Sequence, residues 1–383
     1  MNKKKIVCYW SPFIDNVATV KSVLNSALSI NLYSNKKYES LIIDVFGEWK
    51  SNFNKEISNL KFYSLNYIES LFKFSSKGFI RSRIKYLIIF LFSFNSLKKF
   101  LLSNKPDFLV VHLVTSLPLF LNLIYQLDLK IILRISGKPK MNIFRYLFWK
   151  ISLKKIYRVT FPTQESLDYF KSLKIVDEKK LFLLRDPVFI IKDINKKKKE
   201  SIDDEFKIKK NDYYLSIGRL TKQKNFIFLI KCFSKIINEK NNIKLAIIGV
   251  GEDKDKIERL IKKNNLEKNI ILLGFKKNVY KYLYNCKAFI LSSLWEDPGF
   301  VLIEAMVSDC LVLSSNCSNG PKEIVENKNG LLFESNSEND FILKFHQLIQ
   351  LNDYELNKFK VNAKKKIRDY SIFQHFKEFN KII

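Results

Sequence analysis

Glycine is scarce, with ten in 383 residues, and seven of the ten (218, 249, 251, 274, 299, 320 and 330) fall within 113 residues of the second half. Glycine weakens element interiors and serves where backbone must approach a ligand closely. Its concentration marks the second half as the ligand-binding side, although ordinary turns account for several of the seven. Cysteine is also sparse. Cys8, Cys232, Cys286, Cys310 and Cys317 are odd in number, scattered, and contain no C-x-x-C pair. That indicates neither a disulfide framework nor a zinc site and fits a reducing cytoplasm. The N-terminus, Met1-Asn2-Lys3-Lys4-Lys5, is basic, but the apolar run after it is broken by Ser11, Pro12 and Asp15. This is too short for a signal peptide and reads as a first strand. No internal repeat is present.

Acidic residues are in deficit: 38 Asp+Glu against 67 Lys+Arg, a formal charge of +29. Two readings stand side by side. One is attraction to an anionic surface, membrane or nucleic acid. The other is compositional, since Lys, Asn, Ile and Phe are overused together, as in an AT-rich genome. Hydrophobic content of 47% excludes general disorder, and the length suffices for two domains with their own cores.

The second half alternates between strand and helix patterns. Strands are expected at 213–217, 245–248, 270–273, 288–291 and 311–314, and helices at 226–239, 253–264, 279–285 and 299–307. This alternation implies βαβ units around a parallel sheet, with ligands at the carboxyl ends of the strands. Gly218, Gly249, Gly274 and Glu296 all follow strands, so four loops should converge on one edge. The first half has strand candidates at 6–10, 41–45, 108–112, 131–136 and 158–162. Helix candidates there are 19–32, 117–125, 142–154 and 163–173. Lys192 to Glu200, with its run of lysines, reads as an interdomain linker.

The segment Phe79–Phe92 is basic at its front (Arg81, Arg83, Lys85) and densely apolar behind. Its unbroken apolar stretch is too short to span a bilayer. Two readings are open: an interfacial helix with the basic residues at lipid headgroups, or a core helix with a solvated basic start.

Between Trp295 and Ala305 the chain reads W-E-D-P-G-F-V-L-I-E-A. Asp297 is expected to cap a helix and Pro298 to be its first residue. Glu296 then precedes a helix N-terminus able to hold an anion, and Glu304 projects further along it. Carboxylates flanking an anion site suit a nucleotide sugar. Upstream stand Ser216-Ile217-Gly218-Arg219-Leu220-Thr221-Lys222-Gln223-Lys224-Asn225, Ile247-Ile248-Gly249-Val250-Gly251-Glu252 and Leu272-Leu273-Gly274-Phe275. Downstream stand Gly320-Pro321-Lys322-Glu323-Ile324-Val325 and Asn329-Gly330-Leu331-Leu332-Phe333. Together these resemble the retaining glycosyltransferases of the GT4 type (glycosyl transferases group 1). Glu296-x7-Glu304 matches their E-x7-E signature, and Arg219 and Lys224 match the basic pair of their G-R-L-x-x-x-K segment. The resemblance is strong over residues 211–335 and fainter before them.

The resemblance implies an α/β protein of GT-B fold, two Rossmann-like parallel-sheet domains facing across a cleft. The expected divisions are 1–190 for acceptor binding, 191–210 as linker, 211–365 for the nucleotide sugar, and 366–383 as a helix returning to the first domain. It implies metal-independent transfer of a hexose, with retention, from a UDP- or GDP-sugar co-substrate to a lipid-linked glycan in surface polysaccharide or O-antigen assembly. No cofactor is expected. Arg219 and Lys224 would neutralise the diphosphate, and Glu304 would hold the ribose hydroxyls. Glu296 would contact the transferred sugar, and Gly274 and Phe275 would border the nucleobase. His112, at the end of a first-half strand, resembles a histidine facing the donor; a structural role is the other reading. Lys322 and Glu323 would precede a helix. His346 and His375 read as structural.

Two departures from the family stand out. Asp297-Pro298-Gly299 replaces a common Gly-Phe-Gly, and Pro298 removes one backbone donor, leaving the N–H groups of Gly299, Phe300 and Val301. The loop after the first strand (Phe13-Ile14-Asp15-Asn16-Val17) lacks glycine, so Asp15 and Asn16 are expected to face acceptor. Asp253-Lys254-Asp255 formally matches a metal-binding D-x-D but sits at a helix start, where acids favour the dipole; it is expected to be a solvated face. A nucleotide sugar, a lipid-linked glycan and the anionic inner leaflet are the expected partners, without nucleic acid. The expected location is the cytoplasmic face of the inner membrane, peripherally attached. A GT-B sugar-nucleotide 2-epimerase and a basic, non-catalytic nucleic-acid-binding protein are the competing readings. The second would cluster its basic residues with exposed aromatics, whereas here they are spread along the chain.

Overall fold

Successive residues of the central strands enter two different hydrophobic cores. In the second half Ala246, Ile248, Phe289 and Leu291 face one core, while Leu245, Ile247, Ala288 and Ile290 face another. In the first half Cys8, Trp10, Leu109 and Val111 pack on one side and Val7, Tyr9, Phe108 and Val110 on the other. Side chains alternate across a pleated strand, so a sheet covered on both faces needs apolar residues at every position. Runs such as Leu-Ala-Ile-Ile and Ala-Phe-Ile-Leu meet that demand.

The structure, a computed structural model, describes residues 4–13, 18–49, 59–65, 79–139, 141–202, 210–239 and 242–383. Asp15 and Asn16 lie outside these residues, and so do the side chains of Arg81 and Arg83. Contacts divide the chain into Met1–Pro187 with Ile372–Ile383, and Val188–Ser371.

The first unit contains β1 (Lys5–Trp10), α1 (Ala18–Tyr33), β2 (Tyr38–Asp44), β3 (Lys61–Ser64), α2 (Phe79–Asn104), β4 (Phe108–Val111) and α3 (Ser116–Tyr125). It continues with β5 (Lys130–Arg134), α4 (Ile143–Ser152), β6 (Arg158–Phe161), α5 (Gln164–Ser172) and β7 (Leu181–Leu183). The strands are parallel in the order β3-β2-β1-β4-β5-β6-β7. Caps are local. The Asn142 side chain accepts from Arg145 N–H at the start of α4, and the Thr163 hydroxyl accepts from Ser166 N–H at the start of α5. Helix α2 carries a stretch, Ile84–Asn104, long and apolar enough to cross a membrane by length and composition. The helix is longer than the unbroken apolar stretch because it continues through the polar positions Ser93, Asn95 and Ser96. Ile89, Leu97, Phe100 and Leu101 belong to the unit's core, so the inner side of α2 is core-forming.

The second unit contains α6 (Ile191–Lys197), β8 (Tyr214–Ile217), α7 (Phe226–Glu239), β9 (Leu245–Ile248), α8 (Lys254–Lys263), β10 (Ile270–Gly274) and α9 (Tyr280–Asn285). It continues with β11 (Ala288–Leu291), α10 (Phe300–Val307), β12 (Leu311–Ser315), α11 (Pro321–Ile324), β13 (Leu331–Phe333), α12 (Glu338–Ile349) and α13 (Asp353–Ile367). Its parallel sheet runs β10-β9-β8-β11-β12-β13.

The stretch read as a linker is largely α6. Ile194 is buried in the second unit's core, and Lys198 Nζ lies 2.6 Å from Asp309 Oδ2. The lysines fall at the helix C-terminus, where the macrodipole favours cations. The chain re-enters the first unit with α14 (Ile372–Phe379), six residues later than the expected 366. There His375 is buried; its Nδ1–H donates to Arg185 C=O (2.7 Å) and its Nε2 accepts from Ser26 Oγ (2.8 Å).

Candidate functional site in the second unit

From β8 the chain builds the sheet outward to β9 and β10, then returns to the other side with β11. The strand order therefore reverses between β8 and β11, and ligand sites in open α/β sheets form beyond the carboxyl ends of strands at such a point. The loop after β8 holds Gly218, Arg219 and Lys224; the loop after β11 holds Glu296.

These two loops are stapled together. Leu294 N–H donates to Gln223 C=O (2.8 Å), the Gln223 amide donates to Trp295 C=O (2.9 Å), and Ser292 Oγ donates to Lys224 C=O (2.8 Å). Lys224 Nζ then reaches Glu296 Oε1 at 2.5 Å, and Ser293 Oγ donates to the same oxygen at 2.5 Å. The lysine stem lies flat over Gly218, where a Cβ would stand 2.9 Å from Lys224 Cγ, Cδ and Cε. Both ionic side chains are largely buried, at 14% and 6% exposure. Arg219 is exposed and is held in place by its backbone: its C=O accepts from Thr221 N–H (2.8 Å).

The start of α10 differs from the expected one. Gly299, at φ 97°, is the N-cap and Phe300 the first helical residue. The left-handed backbone at Gly299 breaks the helical path, so Asp297 and Pro298 precede the helix. Asp297 accepts from Asn319 Nδ2 (2.8 Å) instead of capping. Gly320 fits beneath: a Cβ there would stand 1.9 Å from Pro298 C=O. Phe300 and Val301 are buried. Glu304, half-buried on α10, accepts a hydrogen bond from Tyr280 Oη at 3.2 Å. Sequence reasoning missed Tyr280 and Ser293; only Ser293, three residues before Glu296, had a local signal.

Gly249 passes so close to β8's loop that a Cβ would stand 1.8 Å from Gly218 C=O. Gly274 ends the edge strand β10, two strands from β8, and Phe275, directly after it, is 74% exposed. Asp253 is buried and paired with Lys256 Nζ (3.0 Å), which corrects its assignment to a solvated face; Asp255 is exposed as expected. Among the described residues no group of three His, Cys, Asp or Glu side chains could hold a metal ion. Lys322 and Glu323 lie within the short helix α11 rather than before it.

His112 belongs to the first unit, directly after β4, at the corresponding reversal between β1 and β4. Its backbone N–H donates to Trp10 C=O (3.0 Å), and its Nδ1 is buried without a partner. Burial, then the nearby Arg134 guanidinium, pushes its pKa well below the ordinary imidazole value, so the ring is neutral. Arg134 itself pairs with buried Asp186. His346 is partly exposed, 3.3 Å from Glu239.

Residues 197–366 match the family model of glycosyl transferases group 1. The chain is 33% identical over 241 residues to an uncharacterised glycosyltransferase of Methanocaldococcus jannaschii, covering 58% of each protein. It is 36% identical over 159 residues to the N-acetylgalactosamine-N,N'-diacetylbacillosaminyl-diphospho-undecaprenol 4-alpha-N-acetylgalactosaminyltransferase of Campylobacter jejuni. That alignment covers 40% of this chain and 43% of the relative, so the matched part spans about half the length of these relatives. Among solved structures, a Staphylococcus aureus TarM variant in complex with fondaparinux, alpha-GlcNAc-glycerol and UDP superposes with TM-score 0.70 at 17% identity, covering 99% of both chains. Residues 197–366 thus match the glycosyl transferases of group 1, and the two Rossmann-like parallel sheets have the GT-B fold.

Proposed function

We propose that the protein is a retaining glycosyltransferase that moves a hexose from a UDP- or GDP-sugar to a glycan acceptor, lipid-linked, in surface polysaccharide assembly. The observation that carries this reading is the buried Lys224–Glu296 pair at the β8/β11 reversal, with Glu304 on the helix that follows. Lys224 and Arg219 supply positive charge where a departing diphosphate needs it, and the N–H groups at the start of α10 add dipoles of the same sign. Glu296 is already oriented by Lys224 and Ser293, so it can accept from sugar hydroxyls without reorganisation. Glu304 suits a ribose diol. His112, being neutral, can give or take one hydrogen bond at a sugar or acceptor hydroxyl.

Retention needs no carboxylate base in this scheme. The nucleophile attacks on the face the nucleotide leaves, and the departing phosphate oxygen takes the acceptor proton. The reaction is proposed to proceed without a divalent cation, because the cationic side chains and helix start supply the countercharge and Asp253 is committed to Lys256. The lipid-linked acceptor is supported by the name of the Campylobacter relative, and a uridine nucleotide by the ligand of the TarM structure.

The test is a panel of UDP-, GDP- and ADP-sugars in thermal-shift and turnover assays with and without EDTA. One nucleotide sugar at a hundred times its Kd should add about 2.7 kcal/mol of stability and transfer its sugar with the anomeric configuration kept. An inverted product, or loss of turnover on chelation with recovery on adding metal, would overturn the corresponding part of the reading.

A further inference from the structure

Helix α4 presents an apolar side to solvent. Ile143, Phe144, Leu147 and Ile151 are 63%, 81%, 48% and 53% exposed, whereas Trp149 and Ser152 on the same helix are buried. At 3.6 residues per turn these four fall within roughly a 100° arc. Lys150 borders the arc, its Nζ 5.8 Å from the Tyr146 ring. Lys154 and Lys155 follow the helix and are exposed. Between Leu129 and Gln164 the chain has nine Lys or Arg and no Asp or Glu. Helix α3 packs against both α4 and α2. It adds exposed Ile124, and α2 adds Ile84, Leu87, Leu91 and Phe92, all at least 49% exposed.

Scattered surface apolar residues need no explanation, but several on one helix arc, next to two further helices with the same property, mark a contact surface. The charge argues for its occupant. An apolar arc bordered by lysines, with no carboxylate in the surrounding sequence, is repelled by a basic partner, a second copy of this +29 chain included. It is attracted to an anionic bilayer, where lysines reach headgroups while the apolar arc enters the acyl boundary.

We propose that helix α4 is a membrane-docking element: Phe144 and Leu147 insert into the interfacial layer of an anionic bilayer, and Lys150, Lys154 and Lys155 bind its headgroups. This is distinct from the basic front of α2. The proposal is independent of sugar transfer, because none of the residues it uses belongs to the candidate site.

The test is flotation of the full chain with phosphatidylcholine vesicles, with and without one-third phosphatidylglycerol. Wild type should float with the anionic vesicles only, and less so at high salt. Replacing Lys150, Lys154 and Lys155 by Ala should lower partitioning about fivefold per lysine at low salt. Phe144→Ser/Leu147→Ser, at exposed positions where folding is insensitive, should lower it at least tenfold while leaving the thermal transition and nucleotide binding unchanged. Equal recovery with both vesicle types would overturn the proposal. So would loss of flotation in Leu87→Ser/Leu91→Ser but not in the Phe144 variant, which would assign the contact to α2. Lipid-free self-association that depends on Phe144 would assign the surface to a second copy and also overturn it.

Discussion

Lys224 Nζ and Glu296 Oε1, 72 residues apart in sequence, meet at 2.5 Å across two loops that their own backbones hold together. The pair links the proposed phosphate group to the proposed sugar group, so truncating one leaves the other without its partner. Removing one partner of a buried pair is more costly than the net worth of the pair, because the remaining charge is left desolvated.

Lys224→Ala should therefore weaken binding of a nucleoside diphosphate by about 1.5–3 kcal/mol and also lower stability. Glu296→Gln keeps the shape and the Ser293 contact. It should leave free-nucleotide binding nearly intact and cut turnover. Calorimetry with UDP and GDP beside a transfer assay separates these outcomes. Equal weakening of free-nucleotide binding in both variants would remove the division of roles.

The glycine contacts give a matched comparison. Gly249→Ala would place a methyl group 1.8 Å from the Gly218 carbonyl, which is backbone and cannot swing aside, at φ +152°. Gly274→Ala meets nothing within 4 Å and has only its φ of +65° against it. Urea denaturation should show a loss of about 3 kcal/mol or more for Gly249→Ala. Gly274→Ala should lose about 1–2 kcal/mol, the ordinary cost of a left-handed L-residue.

The sheet strands were legible because a parallel strand covered on both faces has little freedom in composition. Ala288–Leu291 and Leu245–Ile248 were read at their observed bounds. Strands β3 (Lys-Phe-Tyr-Ser) and β7 (Leu-Phe-Leu) were missed. They are short edge strands with partly exposed positions, so the burial that signals a strand is weak in them. The motif residues Lys224, Glu296 and Glu304 were legible as residue types whose chemistry suits phosphate and diol. Their partners were not: Glu296 binds Lys224 across 72 positions, and Tyr280 meets Glu304 only because α9 packs on α10. The start of α10 was misplaced because proline at a first helical position is a local rule, while here Gly299's positive φ decides where the helix begins.

Tyr280 is 4% exposed, and its hydroxyl donates to Glu304. Tyr280→Phe removes that bond and keeps the buried ring. Affinity for nucleoside and nucleotide sugar should fall by about 0.5–1.5 kcal/mol, the usual net value of one hydrogen bond. Turnover at saturating donor should hardly change, because the role proposed for Glu304 is at the ribose rather than at the transferred sugar. A fall in turnover without a change in nucleotide affinity would place Glu304 elsewhere in the reaction.

The first unit should lose stability on mild acidification. His375 is held at about 4 against an ordinary 6.5, chiefly because burial penalises its charged form. As Nδ1 already donates to Arg185 C=O, protonation must occur at Nε2, which accepts from Ser26; Ser26 is in turn hydrogen-bonded to Tyr9 Oη. The imidazolium would break that chain of bonds. The unfolded chain binds the proton near 6.5 and the folded one only near 4, so the unfolded state carries more protons between these values. Stability therefore rises with pH across this window and is fully present above it. At about 1.4 kcal/mol per pKa unit, the loss from pH 7 to pH 4 is on the order of 3 kcal/mol, and neutral, buried His112 adds to it in the same direction. Chemical denaturation followed at pH 7, 6 and 5 checks the sign. His375→Gln removes the titrating group while keeping a side chain that can donate and accept, so it should flatten the dependence on pH. An unchanged slope in that variant would show that other groups govern the acid response.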